Sequence, residues 1–231
     1  MLIGWRKVKR VLFFAVIGLL LAVSCPAQEE TASQILARMT VDEKIGQVIM
    51  YGYTETEFSK QAEQAIEKFK PGGFVLFGGR SVTSRAQSVR LTSALQKKAR
   101  SVGAKIPLLL SIDEEAGVGN HINEINGGVD TPGNLGLGAS GAPADVYTTY
   151  RVMADDLEAF GLNMSLSPVL DILLNKASAY KSVRSFGTDP TRNAIYAAEA
   201  VRGFRNGGII AAPKHFPGSG ETPLDPTQGH A

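Results

Sequence analysis

Apolar positions along this chain fall into two alternating rhythms. Val41, Ile45, Val48 and Ile49 follow helical spacing. Ahead of them Thr40-Val41-Asp42-Glu43 reads as a capping box, with Thr40 as N-cap and Glu43 at N3. Val48 to Tyr53 either extends that helix or turns into a strand. A helix predicted from Phe58 to Phe69 is stopped by Pro71-Gly72-Gly73. The short run Phe74-Val75-Leu76-Phe77 has the length and aromatic content of a buried strand. Leu91, Ala94 and Leu95 mark the next helix, and Pro107 to Ile112 the next strand. Tyr147, Tyr150, Ala154 and Leu157 predict a long amphipathic helix, and Asn163 to Leu170 a third clear strand. Ile195, Ala198, Val201 and Phe204 give another helix, and Gly208 to Ala212 a fourth strand.

Strands separated by helices make parallel βα units, an α/β fold. Polar groups follow each strand: Gly78-Gly79-Arg80, Asp113-Glu114-Glu115, Asp171 and Lys214-His215. Those positions line the mouth of a βα barrel, or the strand ends of an open doubly wound sheet. No Gly-x-Gly-x-x-Gly or Walker-type loop follows the first strand, which argues against nucleotide binding. A closed barrel takes eight units and about 250 residues. Here four strands are clear, five if Val48 to Tyr53 counts, and the sequence ends in the loop after the last. The expectation is therefore a TIM-type (β/α) barrel, incomplete, with about five of eight βα units.

The first residues carry a different signal. Arg6, Lys7, Lys9 and Arg10 precede an apolar stretch of 13 residues, Val11 to Val23. That is short for a bilayer span and suits a signal peptide over residues 1–25, the alternative being an uncleaved N-terminal anchor. Cys25, the single cysteine, ends Ala22-Val23-Ser24-Cys25, which approximates a bacterial lipobox. Either Cys25 is lipidated, or cleavage after Ala27 removes it. The expected location is secreted or periplasmic, with a possible lipid anchor to the membrane. Residues 26–33 read as a polar tether, and the barrel domain is expected over residues 34–231.

The net charge of +2 comes from the leader. From Pro26 onward 20 basic residues face 22 acidic ones, with no Lys/Arg run. Nucleic acid is not an expected partner. With 44% apolar residues the chain has enough material for one domain with a real core.

Six phrases together resemble glycoside hydrolase family 3. Met39 to Gln47 is similar to its opening helix, and Gly72 to Phe77 to its next strand. Ser111 to Gly117 resembles its Asp-Gln-Glu-Gly-Gly stretch, and Leu162 to Asp171 its Pro-Val-Leu-Asp strand. Arg184-Ser185-Phe186-Gly187 and Lys214-His215-Phe216-Pro217-Gly218 complete the series in the family's order. The Phe-Pro-Gly phrase points to the β-N-acetylhexosaminidase branch over the β-glucosidase branch.

The resemblance implies a retaining hydrolase of terminal β-linked N-acetylglucosamine, with β-N-acetylglucosaminides, peptidoglycan fragments among them, as substrates. It implies no metal and no organic cofactor. Asp113 matches a sugar-binding aspartate; alone, it could equally cap a following helix. Arg184 matches a sugar-contacting arginine, or forms a surface ion pair. Lys214 and His215 match the pair on the sugar hydroxyls. Asp171 matches a position near the site, or orders a loop. His121 stands where the family has a sugar-binding arginine, and Val118 likewise replaces an arginine.

The catalytic loop departs further. In the family's Lys-His-Phe-Pro-Gly-His-Gly-Asp-Thr … Asp-Ser-His pattern, Asp225 keeps the dyad aspartate. Thr227 stands where the donor His belongs, and His230 comes three residues late. A histidine, with a pKa of about 6.5, can act as general acid near neutral pH and a threonine cannot. No Asp or Glu follows Asp225 to serve as nucleophile. The expectation is an inactive fragment of a hexosaminidase; the alternatives are a non-catalytic surface lipoprotein that binds amino sugars and a β-glucosidase-type hydrolase.

Overall fold

A computed structural model describes residues 30–175 and 183–218. The expected signal segment with Cys25, and Asp225, Thr227 and His230, lie outside the described residues. The chain divides into two compact units, Met1–Arg38 and Met39–Ala231. In the first, helix α1 (Ala32–Arg38) begins inside the segment expected to be tether. The Thr31 hydroxyl accepts from Gln34 N, and Arg38 pairs with Glu30 at 2.8 Å.

The second unit runs α2 (Val41–Gln47), β1 (Met50–Tyr53), α3 (Lys60–Phe69), β2 (Gly73–Leu76), α4 (Arg85–Ala99) and β3 (Leu109–Ile112). It continues with α5 (Asn134–Ser140), α6 (Pro143–Ala159), β4 (Met164–Ser165), α7 (Pro190–Asn206) and β5 (Ile210–Ala211). The strands form one parallel sheet in the order β1-β2-β3-β4-β5. That order decides between the two expected architectures. A doubly wound sheet reverses direction at a switch point, whereas a barrel adds each strand beside the last.

The core explains the helix positions. Phe74, Leu76, Leu110 and Ile112 from the strands are buried with Ile66, Leu91, Leu95, Val146, Tyr150, Leu157 and Phe204 from the helices. Each such large side chain contributes roughly 1.5–3 kcal/mol by leaving water. Helices α6 and α7 meet at Gly203, where an added Cβ would lie 2.7 Å from the Tyr147 carbonyl.

Several boundaries differ from expectation. The Thr40–Glu43 capping box forms, but α2 ends at Gln47, and Val41, Ile45, Val48 and Ile49 are all exposed. This helix approaches its neighbours through Gly46 instead, whose added Cβ would stand 2.0 Å from the Phe69 carbonyl. Residues 48–53 resolve into the helix C-cap followed by β1. The strand expected over Asn163 to Leu170 shrinks to Met164–Ser165 plus a bridge between Val169 and Lys214. Pro168 has no N–H to give a ladder. The Asn163 side chain joins the sheet instead, accepting from Leu110 N at 2.7 Å and donating to Leu108 O at 3.0 Å. Gly208 lies in the turn that closes off α7, with φ of 77° and its N–H on Arg205 O, and β5 begins only at Ile210. Helix α5 has no counterpart in the expected pattern.

Candidate functional site

Of the polar groups expected to cluster, Asp113, Glu115, Asp171, Lys214 and His215 do so past the carboxyl ends of β3, β4 and β5. Among the described residues, Arg80 after β2 is exposed and forms no ion pair with them. Asp113 directly follows β3. Lys214 is placed by backbone bonds to the β4 loop: its N–H donates to Pro168 O at 2.9 Å and its carbonyl accepts from Leu170 N at 2.5 Å. Lys214 Nζ then reaches across to Asp113 Oδ1 and to Glu115 Oε1, the latter at 2.5 Å. Arg184, from the loop before α7, donates Nε to Glu115 Oε2 at 2.5 Å and Nη2 to Oε1 at 2.7 Å. His215 Nδ1 lies 2.6 Å from Asp171 Oδ2. An ionised Asp171 fixes Nδ1 as the donor, so the neutral ring carries its lone pair on Nε2.

Exposure orders these groups by role. Side chains of Asp171 and Glu115 are 4% and 5% exposed, and form the floor. Lys214 and Arg184 are at 17% and 16%, while Asp113 and His215 reach 35% and 37% and face outward. Asp113 is no helix cap: it holds a lysine, and the next turn is a short 3-10 segment at Gly117–Gly119. Arg184 is no surface ion pair, since its partner is buried. His121 is exposed and takes another position. Its Cβ crowds Gly78 at the end of β2, and its backbone N–H donates to Glu114 at 3.0 Å.

Burial pushes the Glu115 carboxyl up, but hydrogen bonds and charge from Arg184 and Lys214 outweigh it and hold it below the ordinary value. Its neighbour has the opposite fate. Burial drives Glu114 well above the usual range, and the Ile122 and His121 N–H groups offset this only in part. Among the described residues Glu114 Oε1 has no hydrogen-bond partner. Behind the floor, Tyr150 donates its hydroxyl to Asn134 Oδ1 at 2.9 Å, and Asn134 Nδ2 donates to the Arg184 carbonyl at 2.9 Å. Burial raises the Tyr150 phenol far above its usual value, so it stays a neutral donor.

Glu115, Asn134 and Tyr150 support the site although sequence reasoning gave none of them an individual role, placing Glu115 only within the Asp113-Glu114-Glu115 run. The signal for Glu115 was the run of three acids at one strand end, which exceeds what a surface turn needs. Among the described residues no three His, Cys, Asp or Glu side chains gather as a metal group.

An all-parallel sheet in sequential order, with its charged groups at the strand ends, has the active-site arrangement of a (β/α) barrel. The profile of the Glycosyl hydrolase family 3 N terminal domain matches residues 40–230, and the chain belongs to that family. It is 32% identical to Beta-hexosaminidase A of Pseudoalteromonas piscicida over 177 residues, 75% of this chain and 29% of that protein. It is 31% identical to the Beta-N-acetylglucosaminidase/beta-glucosidase of Cellulomonas fimi over 185 residues, 80% of this chain and 30% of the relative. The solved glycoside hydrolase family 3 beta-N-acetylglucosaminidase from Paenibacillus sp. str. FPU-7 superposes with a TM-score of 0.76 at 37% identity. That match covers 81% of this chain and 35% of the other. The chain thus spans about a third of the length of these relatives.

Proposed function

We propose that the mouth formed by Asp113, Arg184, Lys214 and His215 binds the terminal N-acetylhexosamine of a β-linked saccharide, and that the protein carrying this domain hydrolyses that linkage with retention. One observation carries the reading: two cations and two carboxylates meet at the ends of β3 and β5, with an Asp171–His215 pair beside them. The outward-facing Asp113 carboxylate and His215 imidazole can accept from and donate to neighbouring hydroxyls at once. A buried floor keeps them in place, which sugar recognition needs. The general acid would come from the segment of sequence that carries Asp225 and His230. Peptidoglycan fragments fit as substrates if the leader delivers the domain beyond the cytoplasmic membrane, anchored by a lipid on Cys25 or released by cleavage.

A second reading has its own support. The Cellulomonas fimi relative is named for both N-acetylglucosaminidase and β-glucosidase activities. Chromogenic β-N-acetylglucosaminide and β-glucoside, each given to the purified chain and to Lys214→Ala, separate the readings. Turnover of the acetamido substrate, lost in the variant, supports hydrolysis by the chain itself. Binding without turnover supports a sugar-binding role. Preference for the glucoside supports the second reading, and neither binding nor turnover contradicts both.

A further inference from the structure

We infer that Glu115 is a specificity-determining residue of this mouth: it cancels the second cation, so that the site admits an uncharged sugar and turns away an anionic one. The inference rests on the sugar-site reading above. Arg184 and Lys214 are the groups proteins use to hold carboxylates and phosphates, the guanidinium by a two-point fork and the ammonium as a point charge. Here the Nε–Nη2 edge of Arg184 is closed by both oxygens of Glu115, at 2.5 and 2.7 Å. Lys214 is shared between Glu115 and Asp113.

Among the described residues, charge in this four-residue cluster therefore balances, two positive against two negative. The adjoining pair adds no positive charge, because Asp171 matches His215 even when the ring is protonated. Glu115 is 5% exposed at its side chain, so it acts through the two cations rather than by reaching a ligand. It is a positioning residue that sets which ligand charge the cations can serve.

The test is calorimetric titration of the full chain with N-acetylglucosamine and with N-acetylglucosamine 6-phosphate at low ionic strength. The unaltered chain is expected to favour the neutral sugar. Glu115→Gln removes one negative charge and frees the guanidinium fork for phosphate; it should shift the preference toward the phosphorylated sugar by at least about 10-fold. Glu115→Asp keeps the charge and should keep the preference, which tests the idea even if the Gln variant does not fold. Equal loss of both affinities in Glu115→Gln would mean a merely structural role and would overturn the inference. So would an unaltered chain that prefers the phosphorylated sugar, or an Asp variant that loses the preference. If the unaltered chain binds neither sugar, the site reading falls and this inference with it. If it binds the neutral sugar and the ratio does not move in Glu115→Gln, this inference alone falls.

Discussion

The carboxylate of Glu115 grips the guanidinium of Arg184 at two points, across 69 residues of sequence. That contact ties the end of β3 to the loop ahead of α7, and Lys214 joins it from β5. Removing the carboxylate takes the two-point partner from Arg184 and leaves Lys214 with Asp113 alone of its two carboxylates, so two half-buried cations face each other with one negative charge fewer between them. Glu115→Ala is expected to lower unfolding stability by about 3–5 kcal/mol, the usual cost of breaking a buried pair on one side. Urea denaturation followed by circular dichroism checks it; a loss under about 1 kcal/mol would put Glu115 in the weak class of surface pairs.

Glu114 gives a prediction with a definite sign in pH. Its folded-state carboxyl is held well above the ordinary range by burial. Below about pH 4.3 both folded and unfolded chains hold the proton, and the group is neutral to stability. Above that the unfolded chain releases the proton while the fold retains it, so stability falls as pH rises. Glu114→Gln has no proton to lose and keeps the neutral shape. The variant should match the unaltered chain near pH 4 and become the more stable one toward pH 7. The gap should grow by at most about 1.4 kcal/mol per pH unit. Parallel stability curves would show that Glu114 is ionised in the fold.

The loop carrying Arg184 is seated on α5 through a glycine. An added Cβ at Gly138 would stand 1.8 Å from the Phe186 carbonyl, two residues from Arg184. Gly138→Ala should destabilise by about 1–3 kcal/mol or more and weaken sugar binding, because backbone must move. Gly136, on the same helix, has nothing within 4 Å of that position. Gly136→Ala should stabilise by about 0.5–1 kcal/mol through helix propensity alone. Thermal unfolding of the two variants side by side distinguishes the close approach from a general effect of alanine in α5.

Asp171 orients His215. In Asp171→Asn the charge that selects Nδ1 as donor is gone, so the ring should populate both tautomers. Nitrogen-15 chemical shifts of the imidazole report this directly. Binding of N-acetylglucosamine should weaken about 10-fold, or about 1.4 kcal/mol. A single Nδ1-protonated tautomer in both proteins would show that another group fixes the ring.

Much of this architecture was legible before any coordinates. The βα rhythm, the Thr40–Glu43 box and the placement of Asp113 and Lys214 just past strands follow from periodicity and turn chemistry, whereas Asp171 lies six residues beyond a strand shorter than its apolar run suggested. What failed were features set by close approach rather than by hydrophobic pattern. Val41 and Ile45 look like a buried face, yet Gly46 makes the contact. Asn163 looks like an ordinary strand residue, yet its amide replaces part of the ladder. Helix α5 is short and holds Gly136 and Gly138, which hides its period. In the site, Asp113 and Lys214 stood out as charges at strand ends. Glu115 was marked only as one of three acids at a strand end, because its importance comes from an arginine far along the chain. Asn134 and Tyr150 bear no mark of function in sequence, since a buried tyrosine on a helical apolar face reads as core.

The central claim is that Asp113, Arg184, Lys214 and His215 form one sugar-binding mouth. Calorimetric or NMR titration of the full chain with N-acetylglucosamine, beside Lys214→Ala and Arg184→Ala, tests it most directly. The account predicts saturable binding that is at least about 10-fold weaker in each variant, with the fold intact by circular dichroism. Equal binding by all three proteins, or none by the unaltered chain, would contradict it.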